Sequence, residues 1–138
     1  MDYRLVHQLT DVQIVRLHAL YQNEWWTRGR ELEDIRQMLA HSYCVFALED
    51  ARTSELVAFA RVLTDRTYKV LIFDVIVAPS CRDHGLGRLL MEAILGHPDL
   101  AQVRHFELYC LPELAAFYER WGFTTDVGGV QLMRLDAL

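Results

Sequence analysis

Cysteine, proline and long apolar runs are scarce in this sequence, and each shortage excludes a class of protein. The three cysteines, Cys44, Cys81 and Cys110, contain no CxxC pair and are too few for a disulfide framework. No apolar run approaches the roughly 18 residues of a transmembrane helix, and the N-terminus lacks the apolar segment of a secretion signal. We therefore expect a reduced, cytoplasmic protein without a membrane partner.

Basic charge is also in short supply. The 14 Lys and Arg residues against 19 Asp and Glu residues give a formal net charge of −5, and no stripe of basic residues could follow a phosphate backbone. The 6 histidines show no metal-ligand spacing. We therefore expect neither a nucleic-acid partner nor a metal site, whereas a small anionic ligand held by a few local groups is compatible with this composition.

What is present is typical of one globular domain. The chain has 138 residues, of which 52% are hydrophobic, and no repeat or proline-rich linker divides it. We predict a single domain over residues 1–138. Thr10 and Gln13 form a capping-box pattern, and an apolar stripe from Ile14 to Trp25 predicts a helix with Trp25 in the core. A second helix is predicted over residues 30–41.

The rest of the chain alternates between strand and helix periods. Strands are predicted at Tyr43–Glu49, Leu56–Leu63, Lys69–Val77 and Val103–Cys110, and a hairpin at Phe123–Thr125 and Val130–Leu135 around Gly128-Gly129. Helices are predicted around Leu86–Ile94, with Leu89 on the inner stripe, and around Leu114–Trp121. An extra strand at Tyr3–Leu9 is left open. This order predicts a mixed α/β sheet with helices on its faces.

The most informative segment joins the strand ending at Val77 to a helix through a loop that contains Gly85 and Gly87. Helix N-termini present unpaired N–H groups and a positive dipole end, so such a loop can bind phosphates. A Walker A loop would require Lys-Ser/Thr where Arg88-Leu89 stands. The dinucleotide fingerprint would require a third glycine, which is absent. A tight connection that uses glycine for geometry alone is the alternative.

The pattern Val77-x-Pro79-x-x-Arg82-x-x-Gly85-x-Gly87, followed after the next predicted strand by Phe117-Tyr118-Glu119-Arg120-Trp121-Gly122-Phe123, resembles the GNAT family of acyl-CoA N-acyltransferases. The resemblance implies an acetyl-CoA-dependent N-acetyltransferase that acts on a primary amine by direct attack in a ternary complex. It also implies a splayed pair of central strands. The free main chain at Val75 and Val77 would hold the pantetheine arm and the acetyl carbonyl. The pyrophosphate would lie on the loop of Arg82, Asp83, His84, Gly85, Leu86, Gly87 and Arg88.

The resemblance also assigns catalytic and acceptor-binding residues. Tyr118 would lie near the cofactor sulfur as a general acid, and its alternative is a core tyrosine. Asp74 interrupts an apolar strand, so its carboxylate needs a partner or a cleft. The resemblance places Asp74 near the acceptor amine, whereas a structural ion pair with Arg61 is the alternative. Trp26 lies where the first two helices join and is the candidate for the acceptor pocket.

Two departures from the family pattern concern the cofactor. Asp83 stands where glycine is common, and its negative charge opposes a pyrophosphate; Leu111 stands where many members carry an asparagine that contacts the cofactor arm. Three alternatives accompany the enzyme hypothesis: a catalytically silent acyl-CoA-binding or interaction module, a longer acyl group, and a covalent route through Cys110. The acceptor is not identified by the sequence, and a homodimer that shares the site is left open.

Overall fold

The structure is a computed structural model that describes residues 2–138, and the chain forms two compact units that divide after Leu108. The described part of the first unit, residues 2–108, contains five strands and three α-helices. These are β1 (Tyr3–Val6), α1 (Asp11–Gln22), α2 (Leu32–His41), β2 (Cys44–Asp50), β3 (Leu56–Thr64), β4 (Lys69–Val77), α3 (Leu86–Leu95) and β5 (His105–Leu108). The second unit, Tyr109–Leu138, contains a 3-10 turn at Pro112–Leu114 and the short helix α4 (Ala115–Glu119).

The five strands form one sheet in the order β1-β2-β3-β4-β5. The first three pairings are antiparallel, and β4 pairs with β5 in parallel because α3 forms the connection between them. This mixed sheet confirms the predicted fold class. The predicted bounds of β4 agree with the structure, and after the exposed Lys69 its residues alternate between buried and half-buried rather than being buried throughout.

Helices cover both faces of the sheet, with β3 at its centre. Every residue from Leu56 to Ala60 is buried, which requires cover on both sides of β3. The Phe59 ring meets the Tyr21 ring of α1 edge-on, with 6.3 Å between centroids. Helix α3 packs against β2, β3 and β4. Its buried residues are Leu86, Leu90, Met91 and Ile94, whereas Leu89, predicted on the inner stripe, is exposed.

Helix α1 begins as its sequence predicts and ends earlier. The Thr10 Oγ1 atom accepts from the Gln13 main-chain nitrogen at 3.1 Å, and the Gln13 Oε1 atom accepts from the Thr10 nitrogen at 3.0 Å. The helix ends at Gln22, where the buried Thr27 hydroxyl donates to the Tyr21 carbonyl at 2.8 Å and turns the chain out of the helical path. The prediction that Trp25 lies in the core is wrong, since it is 68% exposed.

The C-terminal hairpin predicted at residues 123–135 is wrong. Gly128 and Gly129 have the positive φ angles of a turn, 72° and 77°, but residues 123–138 contain no strand on either side of it. Val130, Leu132, Met133 and Leu135 are exposed. An isolated two-stranded hairpin is marginal in water, so an alternating apolar pattern forms strands only where a sheet accepts them.

Candidate active site

The C-terminal half of β4 lies beyond its pairing with β5. The β4–β5 ladder runs only from Lys69 to Ile72 of β4, whereas the pairing with β3 continues to Val77. β5 ends at Leu108, opposite Ile72, so residues 73–77 of β4 extend beyond it and pair with β3 alone among the described strands. Val75 and Val77 both lie in this extension, and the splayed pair implied by the resemblance stays a prediction.

A β-bulge in β4 lies just after Ile72, where the pairing with β5 ends. Phe73 pairs with Arg61 and Ile76 pairs with Phe59, so Asp74 and Val75 both lie opposite Ala60. Asp74 has a φ of 59°, a left-handed angle that aspartate tolerates better than most residues do. The bulge directs the Asp74 side chain to a position where only 4% of it is exposed.

The loop after β4 leads into an open helix N-terminus. Asp83 and Gly85 have left-handed φ angles of 67° and 75°, and a Cβ atom on Gly85 would meet nothing within 4 Å, so the backbone angle is what favours glycine there. No side chain caps α3, and its first main-chain bond runs from the Leu89 nitrogen to the Gly85 carbonyl at 3.1 Å. The N–H groups of the first turn, from Leu86 to Arg88, are therefore available to an anion.

Two arginines carry positive charge beside this loop. Arg82 Nη2 pairs with Glu24 Oε1 at 2.8 Å, and its Nε donates to the Val77 carbonyl at 3.4 Å, which joins the loop to the end of β4. Arg88 Nε lies 3.5 Å from Glu92 Oε1, one turn further along α3. Both arginine side chains are more than half exposed and can turn toward a phosphate. The His84 Nδ1 atom lies 3.4 Å from the Tyr3 hydroxyl.

The Asp74 carboxylate is the centre of a buried polar cluster. Its Oδ2 atom accepts from Arg30 Nη1 at 2.8 Å, Arg61 Nε at 2.8 Å and the Tyr21 hydroxyl at 3.1 Å. Its Oδ1 atom accepts from Arg30 Nη2 at 3.4 Å. Burial by itself raises the pKa of Asp74, but the hydrogen bonds and charges of Arg30 and Arg61 outweigh it and hold the pKa below its usual value. The carboxylate is therefore charged and already has partners.

The ion pair with Arg61 agrees with the structural alternative for Asp74. Arg30 and Tyr21 were not predicted as its partners. Tyr21 belongs to the apolar stripe of α1, and Arg30 lies between the first two helices, so neither position carries a sequence signal that points to β4. Arg30 and Arg61 also line a cavity of about 220 Å³, together with Asp34, Ile35 and Met38. Trp26, the predicted pocket residue, is 40% exposed and does not line this cavity.

Tyr118 lies in the second unit, on α4. Its ring contacts those of Phe117 and Phe123, with centroid distances of 5.0 and 6.1 Å. Burial raises the pKa of Tyr118 to about 12, and the negative charge that Cys110 would carry adds to the effect. The Tyr118 phenol is therefore protonated at neutral pH and can serve as a proton donor.

Within residues 2–138, no group of three or more His, Cys, Asp or Glu side chains is placed to hold a metal ion. No helix in the same range is long and apolar enough to span a bilayer.

A family model described as "Acetyltransferase (GNAT) domain" matches residues 40–125, which include strands β2 to β5, the glycine loop and α4. The chain belongs to the GNAT family. This confirms the resemblance that the two sequence motifs indicate.

Sequence similarity to two relatives extends over most of this GNAT chain. A rice protein (Oryza sativa subsp. japonica) named serotonin N-acetyltransferase 2, chloroplastic, is 33% identical over 127 residues, which cover 90% of this chain and 62% of the rice protein. An uncharacterized N-acetyltransferase, ycf52, from Porphyra purpurea is 27% identical over 89% of this chain and 71% of its own length. The chain thus spans less than two thirds of the rice relative.

A solved structure shows the same GNAT fold. A GNAT-family structure from Xanthomonas campestris pv. campestris superposes with a TM-score of 0.84 at 28% identity, and the match covers 99% of this chain and 94% of that one. The fold and the family are therefore established together.

Proposed function

We infer that this protein transfers an acetyl group from acetyl-CoA to a primary amine, by direct attack in a ternary complex. The observation that carries the proposal is the uncapped N-terminus of α3, which follows the part of β4 that extends beyond β5. When bound, acetyl-CoA supplies an acetyl thioester: the amine nitrogen bonds to the acetyl carbon, the carbon–sulfur bond breaks, and coenzyme A leaves as the thiol.

The residues present fit such a ligand. The first-turn N–H groups of α3 would bind the pyrophosphate, and Arg82 and Arg88 would neutralise part of its charge. The main chain at Val75 and Val77, in the part of β4 that extends beyond β5, would hold the extended arm and the acetyl carbonyl. Asp83, three residues before the first residue of α3, would oppose the pyrophosphate and lower the affinity.

Protons are handled by two different residues. Tyr118 would give its phenolic proton to the leaving sulfur, a contribution that for general acids is usually about 10²–10⁴-fold. The acceptor amine must lose its own proton to water, because an alkylamine with a pKa of about 10.4 is charged at neutral pH. A carboxylate with a lowered pKa and three hydrogen-bond donors is a poor base. We therefore assign Asp74 a positioning role, in which it holds Arg30 and Arg61 in place.

The first experiment separates binding from turnover. We expect acetyl-CoA and coenzyme A to give saturable heats in titration calorimetry, and a thiol-release assay to show turnover with at least one primary amine. Tyr118→Phe should lower kcat about 100-fold or more, while the affinity for coenzyme A changes less than about twofold. Absence of binding would contradict the proposal entirely. Binding without turnover on any amine would identify a silent acyl-CoA-binding module.

The acceptor panel follows from the relatives. The rice relative is named for serotonin, so serotonin and other arylalkylamines belong in the panel beside amino acids, polyamines and peptides. Longer acyl-CoA donors test the acyl preference, and light scattering tests whether the enzyme is a homodimer. The cytoplasmic location stays a prediction, while the rice relative is named as chloroplastic.

A further inference from the structure

The cavity beside Asp74 has positive charge on its inner wall. Arg30 and Arg61 carry two positive charges, and Asp74 compensates one of them. Tyr21 adds no charge, because burial and the nearby Asp74 raise the pKa of its hydroxyl and keep it neutral. An ammonium group that approached Asp74 would therefore meet two guanidinium groups before it met the carboxylate.

Arg61 still has donors to offer. Its bond to Asp74 uses Nε alone, at 2.8 Å, and its side chain is 15% exposed. The guanidinium lies over the Phe73 ring at 4.9 Å, which holds its plane in one orientation. The two terminal nitrogens of Arg61 form a planar fork of the kind that matches the two oxygens of a carboxylate.

Asp34 gives the same cavity a negative charge. It lies in the first turn of α2 and lines the cavity together with Arg30 and Arg61. With Asp74 included, the charges around the cavity sum to zero, with the two signs at different places. A dianion would be repelled by Asp34, and a simple cation would be repelled by the arginines. A small molecule that carries one charge of each sign fits this arrangement.

We propose that the acceptor carries both a primary amine and a carboxylate, as a free amino acid does, and that the terminal nitrogens of Arg61 bind that carboxylate with Arg30 beside them. Asp34 attracts the ammonium end before the amine loses its proton. A volume of about 220 Å³ suits a ligand of amino-acid size. This inference rests on the proposed acetyltransferase function and names its acceptor class.

The decisive comparison uses the unaltered protein and matched acceptors. Each L-amino acid is compared with its carboxamide and with the amine that lacks the carboxylate, for example tryptophan, tryptophanamide and tryptamine. We expect kcat/KM to be about 10- to 100-fold higher for the amino acid, the usual range for a charge-assisted pair. The carboxamide amine loses its proton more easily, which biases the comparison against the proposal. Equal or better turnover of the carboxamide or the amine would overturn it, and so would a preference for phosphoethanolamine.

Variants then test whether Arg61 binds the carboxylate of the acceptor. Arg61→Gln should bring the ratio between amino acid and carboxamide close to one, while the affinity for coenzyme A is unchanged. Arg36→Gln is the matched control, since Arg36 of α2 pairs with Asp11 of α1 at 3.1 Å and does not line the cavity. An unchanged ratio in Arg61→Gln would refute the assignment. If Arg61→Gln fails to fold, the comparison of acceptors on the unaltered protein decides.

A failure of the proposed enzyme function can be distinguished from a failure of the carboxylate site. If coenzyme A binds but no amine releases thiol, the enzyme proposal fails, and N-acetyl-L-amino acids are titrated in the presence of coenzyme A. Heat from the N-acetyl acids and not from their amides would support the carboxylate site without any turnover. Absence of heat from both would overturn it.

Discussion

The N-termini of α1 and α3 meet the same physical need in opposite ways. Each helix begins with N–H groups that have no partner inside the helix, and with the positive end of its dipole. At α1, Thr10 and Gln13 close the end with two reciprocal hydrogen bonds. At α3, a left-handed Gly85 stands at the corresponding position, and no side chain closes the end.

The difference is between a helix end that side chains close and a helix end that side chains leave open. Replacing a capping side chain by alanine usually costs about 1 kcal/mol, whereas glycine, which stands at the N-cap of α3, costs only a few tenths. No side chain caps the first-turn N–H groups of α3, and the adjacent arginine side chains are more than half exposed. Substitutions at the two ends should therefore act on different quantities, stability at α1 and coenzyme A affinity at α3.

A carboxylate in the first turn of α3 should have the largest effect. Arg88→Glu adds a negative charge at the helix N-terminus and is expected to weaken coenzyme A binding about 10- to 100-fold, while the free energy of unfolding changes by less than about 1 kcal/mol. Calorimetry and urea denaturation measure the two quantities, and Arg88→Gln should show a smaller loss of affinity. Equal affinities for Arg88→Glu and the unaltered protein would show that the pyrophosphate does not lie on this turn.

The left-handed angle of Gly85 gives the second effect. Gly85→Ala should lower the free energy of unfolding by about 1–2 kcal/mol, because a Cβ atom disfavours this backbone angle although the space around it is open. Gly85→Asn should cost less, because asparagine tolerates the left-handed region. Urea denaturation checks both variants. If alanine and asparagine cost the same, strain at φ is not the cause.

Removal of the cap at α1 should have a smaller effect, and should change only the free energy of unfolding. Thr10→Ala loses the bond to the Gln13 nitrogen and is expected to lower the free energy of unfolding by about 1 kcal/mol. Thr10→Ser keeps the hydroxyl and serves as the control. Coenzyme A affinity, measured by calorimetry, should be the same in all three proteins; a loss in Thr10→Ala would break the distinction between the two ends.

The smallest expected effect is a gain. Asp83→Asn removes the negative charge next to α3 and keeps a residue that accepts a positive φ, so coenzyme A should bind about threefold more tightly, a change of under 1 kcal/mol. Calorimetry at low and high salt checks this, since added salt should reduce the difference. A weaker affinity in Asp83→Asn would mean that the carboxylate supports the loop rather than opposing the ligand.

Local sequence signals predicted the elements that are determined locally or by strong burial. The capping box of α1 needs only residues three apart, and β4 is an apolar run with clear ends, so both agree with the structure. The same reasoning failed for Trp25 and for the hairpin around Gly128-Gly129. In both cases a periodic pattern was present, but periodicity does not predict where a helix ends or whether a segment pairs with a sheet.

The candidate site divides in the same way. The glycine loop and its arginines are contiguous in the sequence, so the motif predicted their place between β4 and α3. The partners of Asp74 come from α1, from the segment before α2 and from β3, and no spacing rule connects Arg30 or Tyr21 with Asp74. Their meeting depends on how helices pack on the sheet.

The sequence by itself determined that this chain is a GNAT protein with a glycine loop between β4 and α3, because the residues that carry this motif are neighbours along the chain. Only the tertiary structure decided what surrounds Asp74, and with it the charge that an acceptor meets. The physical reason is distance along the chain: a buried carboxylate must find donors, and folding, not local pattern, selects which side chains supply them.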